Sequence, residues 1–308
     1  MEQLQVLVSN FKIIVEQDHS PSTASFYWGN MKIYYEWIDL HDHLWSTEST
    51  IRRYMDAERL RGLSANSLIA RHSSFLRFFK WLRESGQMEG PSPMDNIKRP
   101  RKPKLAARRA ARKDVLGVIG SIPFANWWLD QRDRTILQIF LCCGLRIGEL
   151  CALTIEDVDM NEWKLSVPSF KFSKPRTIPL GHDEIEGSNT IRYDLENWLR
   201  LRPMNHDTRK LFVGYAGPYS ARGPLGTDGA RAAIKKRCRA AGIKYFNPHS
   251  IRHCFATEAI NTPEMRAEVL QVLLGHSSIV TTLEIYAEVL NDRILEEARD
   301  VLARVNSY

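Results

Sequence analysis

The stretch from Lys98 to Lys113, KRPRKPKLAARRAARK, constrains this chain more than any other segment. It contains no acid, and Pro100 and Pro103 oppose a helix and keep the backbone extended. It reads as a linker, which divides the chain into a helical domain over residues 1–93, a basic connection over 94–113 and a larger domain over 114–308. A length of 308 residues with 44% hydrophobic content is compatible with two cores. The linker's cations, Lys98, Arg99, Arg101 and Lys102 foremost, are suited to follow a phosphate backbone by counterion release. A hinge that clamps a duplex between two domains fits this length and charge better than a bland tether.

From about residue 20 to 85 the sequence reads as helices separated by short polar turns, each opened by a capping residue. Ser20-Pro21 opens the first, with Tyr27, Met31, Tyr34, Trp37 and Ile38 at helical spacing. Thr47 opens the second, with Ile51, Tyr54, Met55 and Ala57 as its inner face. Ser64 opens the third, where Leu68, His72, Phe75, Phe79 and Leu82 form an apolar stripe of period 3.6. Asn66, Ser73, Arg77 and Lys80 fall on its other side, which is either an ordinary solvated surface or a face laid against DNA.

Beyond the linker, helical patterns alternate with one clear hairpin. Lys164 to Phe170 and Arg176 to Leu180 are strand-like, and FSKP between them supplies the turn. Thr227-Asp228 caps a helix that carries Arg231, Lys235, Lys236, Arg237 and Arg239. The tail sets Leu290, Ile294, Leu295, Ala298, Val301, Leu302 and Val305 in an amphipathic pattern, a helix over 290–305. The expected fold is therefore mainly α with a small β-hairpin or sheet, an α+β chain without internal repeats.

The formal charge of +7 suits a polyanionic partner but does not specify one. Five cysteines, with no C-x-x-C pair and no histidines at zinc-binding spacing, read as reduced thiols of a cytoplasmic protein. The start, MEQLQVLVSNFKIIVEQ, lacks a basic region and a cleavage site, so it does not read as a signal peptide. The richest apolar run, Ile136 to Leu153, is interrupted by Arg146 and Glu149 and is no membrane span.

The larger domain contains, in order, GLRIGEL (Gly144 to Leu150), SFKFSKPRTIPL (Ser169 to Leu180), PHSIRH (Pro248 to His253), LLGHSS (Leu273 to Ser278) and TTLEIYAEV (Thr281 to Val289). These blocks resemble the signatures of the tyrosine recombinases, also called phage integrases, which include the Xer chromosome-dimer resolvases. The N-terminal helices and basic linker resemble the family's SAM-like core-binding domain. Carried over by position, the resemblance implies a catalytic set of Arg146, Lys171, His249, Arg252, His276 and Tyr286. The lysine block departs from the family's glycine-lysine-glycine, since Phe170 and Phe172 flank Lys171; Lys174 is the fallback for its role.

The implied chemistry is transesterification at a phosphodiester, which needs an in-line nucleophile, neutralised non-bridging oxygens and a proton for the leaving 5′-oxygen. Arg146 and Arg252 each offer phosphate a planar fork. The resemblance assigns Lys171 as general acid, His249 as proton acceptor, His276 as a hydrogen-bond partner of a non-bridging oxygen and Tyr286 as nucleophile. A phosphotyrosine conserves the energy of the broken bond, so neither cofactor nor metal is implied. Taken singly, each residue also has a plain structural role: Arg146 pairing with Glu149 three positions on is a common helix-surface arrangement.

The resemblance further implies a double-stranded DNA partner with a specific recombination site, no membrane, and four protomers on two sites, as a homotetramer or with a related recombinase. The tail over 290–305 is the expected contact between protomers. Base reading is expected from the third N-terminal helix, through Asn66, Ser73, Arg77 and Lys80, and from Arg231, Lys235, Lys236 and Arg239. With about 20 residues ahead of the first capped helix, a simple recombinase without an arm-binding domain is expected. Two alternatives stand beside it: a type IB topoisomerase, and an inert DNA-binding protein on the same scaffold.

Overall fold

The computed structural model describes residues 2–41, 44–101, 110–123, 127–169, 174–181, 191–203, 208–217 and 220–305. The chain forms two compact units, Met1–Ala106 and Ala107–Tyr308, each around its own core.

The first unit is helical: α1 (Glu2–Asp18), α2 (Pro21–His41), α3 (Glu48–Leu60) and α4 (Ala65–Glu84). Thr47 Oγ1 accepts from Thr50 N–H, and Ser64 Oγ accepts from Ser67 N–H, both at 3.2 Å, so two of the helices begin where their caps announce them. Ahead of α1 the sequence has Met1, not a capping residue type; what folds the helix is the spacing of Leu4, Leu7, Val8, Phe11 and Val15, all buried against the other helices. The core is aromatic, with the Tyr34 ring edge-on to Phe75 at 4.7 Å and to Tyr54 at 5.0 Å.

The inner face of α3 differs from expectation at one place. Glu58 is buried and Ala57 only partly so. The carboxylate leaves water because Arg61 meets it at 2.7 Å and Arg71 at 3.6 Å.

Residues 94–97, expected in the linker, pack on this unit. Met94 is buried in its core, Ile97 lies against it, and Ile97 O pairs with His72 Nε2 at 2.9 Å.

The second unit contains α5 (Arg112–Ser121), α6 (Trp128–Cys143), α7 (Ile147–Ala152), β1 (Val158–Asp159), β2 (Lys164–Val167), β3 (Arg176–Pro179), α8 (Ile191–Leu201), β4 (Val213–Gly217), β5 (Ser220–Pro224), α9 (Thr227–Ala240), α10 (Pro248–Asn261), α11 (Ala267–Leu274) and α12 (Ile279–Val305). It is mainly α with small antiparallel sheets, β1-β2-β3 and β4-β5.

The expected hairpin is present, with Val167 opposite Arg176 and Leu165 opposite Ile178. Its first strand stops at Val167 rather than Phe170, since Pro168 has no N–H to continue the ladder. Phe170, Lys171 and Phe172 lie outside the described residues. The β4-β5 pair was not expected: its strands, VGYAG and SARGP, show little alternation of apolar and polar residues.

Helix α6 lies at the centre, packed on α5, α8, α9 and α10. It is buried on nearly all sides although it carries Asp130, Gln131, Arg132, Asp133, Arg134, Thr135 and Gln138. Partners make that burial possible. Arg134 Nε donates to Asp194 Oδ1 at 2.7 Å, and Gln131 Nε2 to the same oxygen at 3.0 Å. Arg237 on α9 reaches Asp130 at 2.6 Å and Asp133 at 2.8 Å.

The helix expected over 290–305 is the distal part of α12, which begins at Ile279. Among the described residues no single helix is long and apolar enough to cross a membrane.

Candidate active site

Helix α11 ends at Leu274, and Gly275 follows with φ +64°. The last carbonyls of a helix lack intrahelical partners and gather partial negative charge, which favours cations. Three arginines use that end. Arg176 Nε donates to Leu273 O at 2.7 Å, Arg252 Nη2 to Leu274 O at 2.7 Å, and Arg146 Nη1 to Leu274 O at 3.4 Å and Gly275 O at 3.3 Å. A Cβ on Gly275 would stand 2.6 Å from Arg176 Nη1, so packing and backbone both require glycine there.

Beneath the arginines lies Glu149, fully buried in the first turn of α7. Oε1 accepts from Arg146 Nη1 at 3.0 Å and Arg176 Nη1 at 3.1 Å. Oε2 accepts from the Arg146 backbone N–H at 2.8 Å and Arg176 Nη2 at 2.9 Å. Arg252 Nη1 remains 3.9 Å from Oε2 and instead donates to Gly144 O at 2.7 Å.

Burial alone would raise the Glu149 pKa, but the hydrogen bonds from Arg176 and the Arg146 backbone, with the charges of Arg176 and Arg252, hold it at about 2. Arg252 is pushed down to about 9, first by burial and then by Arg146 and Arg176. The Arg146–Glu149 pair read in the sequence as a surface arrangement is thus half of a buried platform.

His276 follows Gly275 directly. Its Nδ1 lies 2.9 Å from Thr282 Oγ1, and burial together with Arg252, Arg146 and Arg176 lowers its pKa to about 4. His249, in the first turn of α10, has a lowered pKa through burial, His253, Arg252 and Arg146. Both rings are neutral near pH 7.

Tyr286 lies on α12, partly buried against the cluster formed by α10, α11 and α12. Its hydroxyl donates to Met265 O at 2.8 Å, and burial, then Glu268, raises its pKa. Of the six expected catalytic residues, Arg146, Arg252 and His276 meet at the α11 terminus, with His249 within their electrostatic reach. Tyr286 is bonded to the loop before α11 instead, and Lys171 lies outside the described residues; Lys174 is exposed.

The expected DNA contacts divide by environment. Asn66 and Lys80 are exposed on α4, with Lys80 3.6 Å from Glu84. Ser73 Oγ donates to Ile69 O, and Arg77 is tied to Asp18 at 2.8 Å. Lys98, Arg99 and Arg101 are exposed, and Lys102 is outside the described residues. On α9, Lys235, Lys236 and Arg239 are exposed and Arg231 pairs with Asp228 at 2.8 Å. Arg237, grouped with them by sequence, is buried.

Residues 125–293 match the model of the phage integrase family. The chain belongs to this family. A tyrosine recombinase XerC of Chromohalobacter salexigens is 34% identical over 236 residues, covering 75% of this chain and 73% of the relative. Tyrosine recombinase XerD of Proteus mirabilis is 28% identical over 302 residues, covering 95% of this chain and 91% of the relative. Among solved structures, the XerH site-specific recombinase bound to palindromic difH substrate, in a post-cleavage complex, aligns with a TM-score of 0.71 at 17% identity, over 96% of this chain and 85% of that one. A lambda integrase tetramer bound to a Holliday junction aligns with a TM-score of 0.70 at 16% identity, over 92% and 76%.

Membership gives no reason by itself for Arg176 or Thr282, which the sequence reading did not assign to the site. In the sequence Arg176 read only as the first residue of the hairpin's second strand. Its partners are 27 and 97 positions away.

Proposed function

We propose that the chain is a site-specific DNA recombinase that cleaves and rejoins strands through a 3′-phosphate link to Tyr286, acting in the cytoplasm on duplex carrying a specific recombination site. The observation that carries the reading is the meeting of Arg146 and Arg252 on one carbonyl, Leu274 O, next to His276. Two guanidinium groups on the same anchor suit a tetrahedral anion with two non-bridging oxygens.

In this reading the Tyr286 oxygen attacks phosphorus, the bond to the 5′-oxygen breaks, and Lys171 supplies the proton that the 5′-hydroxyl carries away. The phenol proton passes to His249, whose lowered pKa keeps its ring neutral and able to accept. With the Thr282 hydroxyl donating to Nδ1, neutral His276 presents Nε2–H to a non-bridging oxygen. Tyr286 must first release Met265 O. A second strand's 5′-hydroxyl reverses the step.

Four protomers on two sites fit the distal face of α12, where Leu290, Ile294, Val301 and Leu302 are exposed. An apolar stripe of this kind is what a neighbouring protomer would cover. Asn66, Lys80, Lys98, Arg99, Arg101, Lys235, Lys236 and Arg239 are the proposed DNA contacts, with Ser73, Arg77 and Arg231 available on release of their present partners.

The test is covalent trapping on nicked duplex carrying a bound site, resolved on a denaturing gel. Wild type should give a 3′-linked adduct and Tyr286→Phe none. Binding without an adduct would leave a DNA-binding protein. Site-independent relaxation of supercoiled plasmid by a monomer would favour a type IB topoisomerase.

A further inference from the structure

Arg176 is the third arginine at the α11 terminus and has no part in the chemistry described above. It begins β3, directly beyond Lys174 and Pro175. Its side chain is 2% exposed, with both arms of the fork on Glu149 and Nε on Leu273 O.

A buried arginine with a carboxylate is seldom kept for stability alone, since well-packed apolar side chains of similar volume serve as well or better. Its geometry offers another reason. A carboxylate has about four lone-pair positions. Arg146 fills one on each Glu149 oxygen, and Arg176 fills the other on each. Arg252, only 3.9 Å from Oε2, therefore finds the carboxylate already occupied.

We propose that Arg176 is a positioning residue, which saturates Glu149 so that the Arg252 guanidinium stays directed at the scissile phosphate, and which ties β3 to the helix end bearing His276. The proposal rests on the recombinase reading above. Without Arg176, two lone pairs of Glu149 open, and Arg252 needs to move only about 1 Å to reach charge-assisted hydrogen-bond distance. A fork captured there is withdrawn from the phosphate. The net charge of the group also falls, from three arginines against one glutamate to two.

The test compares single-turnover cleavage of two nicked duplexes that differ only at the scissile linkage: an ordinary phosphodiester, and a methylphosphonate, which lacks the anionic charge that Arg252 must meet. Arg176→Gln should slow cleavage of the phosphodiester by roughly 10²-fold, the scale of a small misplacement at a reacting centre. It should remain within about 3-fold of wild type on the neutral linkage, with a Kd for the duplex changed by no more than about 3-fold, because phosphate contacts along the whole site set affinity. Arg176→Lys keeps the charge but cannot fill both oxygens, so it should lie between.

Equal loss on both linkages would make Arg176 merely structural and overturn the proposal, as would full activity of Arg176→Gln on the phosphodiester. Absence of an adduct with the wild-type chain on either substrate would instead bring down the recombinase reading, and this proposal with it.

Discussion

At the centre of the first unit the side chains that meet are rings: Tyr34, Tyr54, Phe75, Phe78 and Phe79, none of them measurably exposed beyond 1%. In the second unit α6 buries Asp133, Arg134 and Thr135 among its apolar residues. Rings fill volume and tolerate exchange of similar volume. A buried charge tolerates only its partner, because losing one member strands the other. The second core is thus the less forgiving of helix displacement, and it is the one from which the arginine platform is built, where the proposed chemistry requires geometry held within a fraction of an ångström.

Asp194→Ala breaks that contrast most directly. It removes the partner of Arg134, at 2.7 Å, and an acceptor for Gln131, at 3.0 Å, both in a fully buried setting. The expected loss is about 3–5 kcal/mol, read from urea unfolding followed by circular dichroism. The double change Arg134→Met, Asp194→Leu should return most of it, since no charge is then left unpaired. A loss near that of a surface pair would mean that the ion network of α6 does not hold its helices in register.

Acid sharpens the contrast by a smaller amount. Glu149 titrates near 2 in the fold against an ordinary 4.5, so its contribution is complete above 4.5 and is lost as the pH falls toward 2. His276 titrates near 4 against 6.5, so the unfolded chain takes up its proton first, and stability falls as the pH drops from 6.5 toward 4. The latter limb should amount to roughly 1–2 kcal/mol, less than the full linkage value because the ring is partly open to solvent. His276→Gln should flatten unfolding free energy between those two pH values; an unchanged slope there would show that other groups carry it.

The contrast also explains what could be read from the chain beforehand. Helices α3 and α4 were legible because an apolar stripe and a cap coincide, and the stripe of α2 was equally plain. Helix α1 has the stripe but no capping residue type ahead of it in the sequence, and in α6 the charged residues mask the stripe, since their partners Asp194 and Arg237 come from distant elements. In the site, Arg146, Arg252 and His276 lie in recognisable blocks. The Glu149–Arg176 platform does not announce itself, because its contacts form only when β3 and α11 come together. The legible part has its own test: Thr47→Ala should cost about 1 kcal/mol in thermal unfolding, and a neutral result would mean that the α3 cap contributes little beyond the stripe.

The smallest stability effect belongs to Lys80, and there the question moves from folding to binding. Its exposed pair with Glu84, at 3.6 Å on the same helix face, should contribute less than about 0.5 kcal/mol, so Lys80→Ala should leave unfolding nearly unchanged. If α4 lies against DNA, the same substitution removes one phosphate contact and reduces the slope of log Kd against log salt by about 1. Arg77 is a demanding companion, because it must leave Asp18, at 2.8 Å, before reaching any phosphate. Arg77→Ala should therefore alter both stability and binding, and Lys80→Ala binding alone. A salt slope unchanged in Lys80→Ala would return that face of the first unit to ordinary solvated surface and leave the basic tract after Ile97 and the exposed cations of α9 as the remaining candidates for holding the duplex.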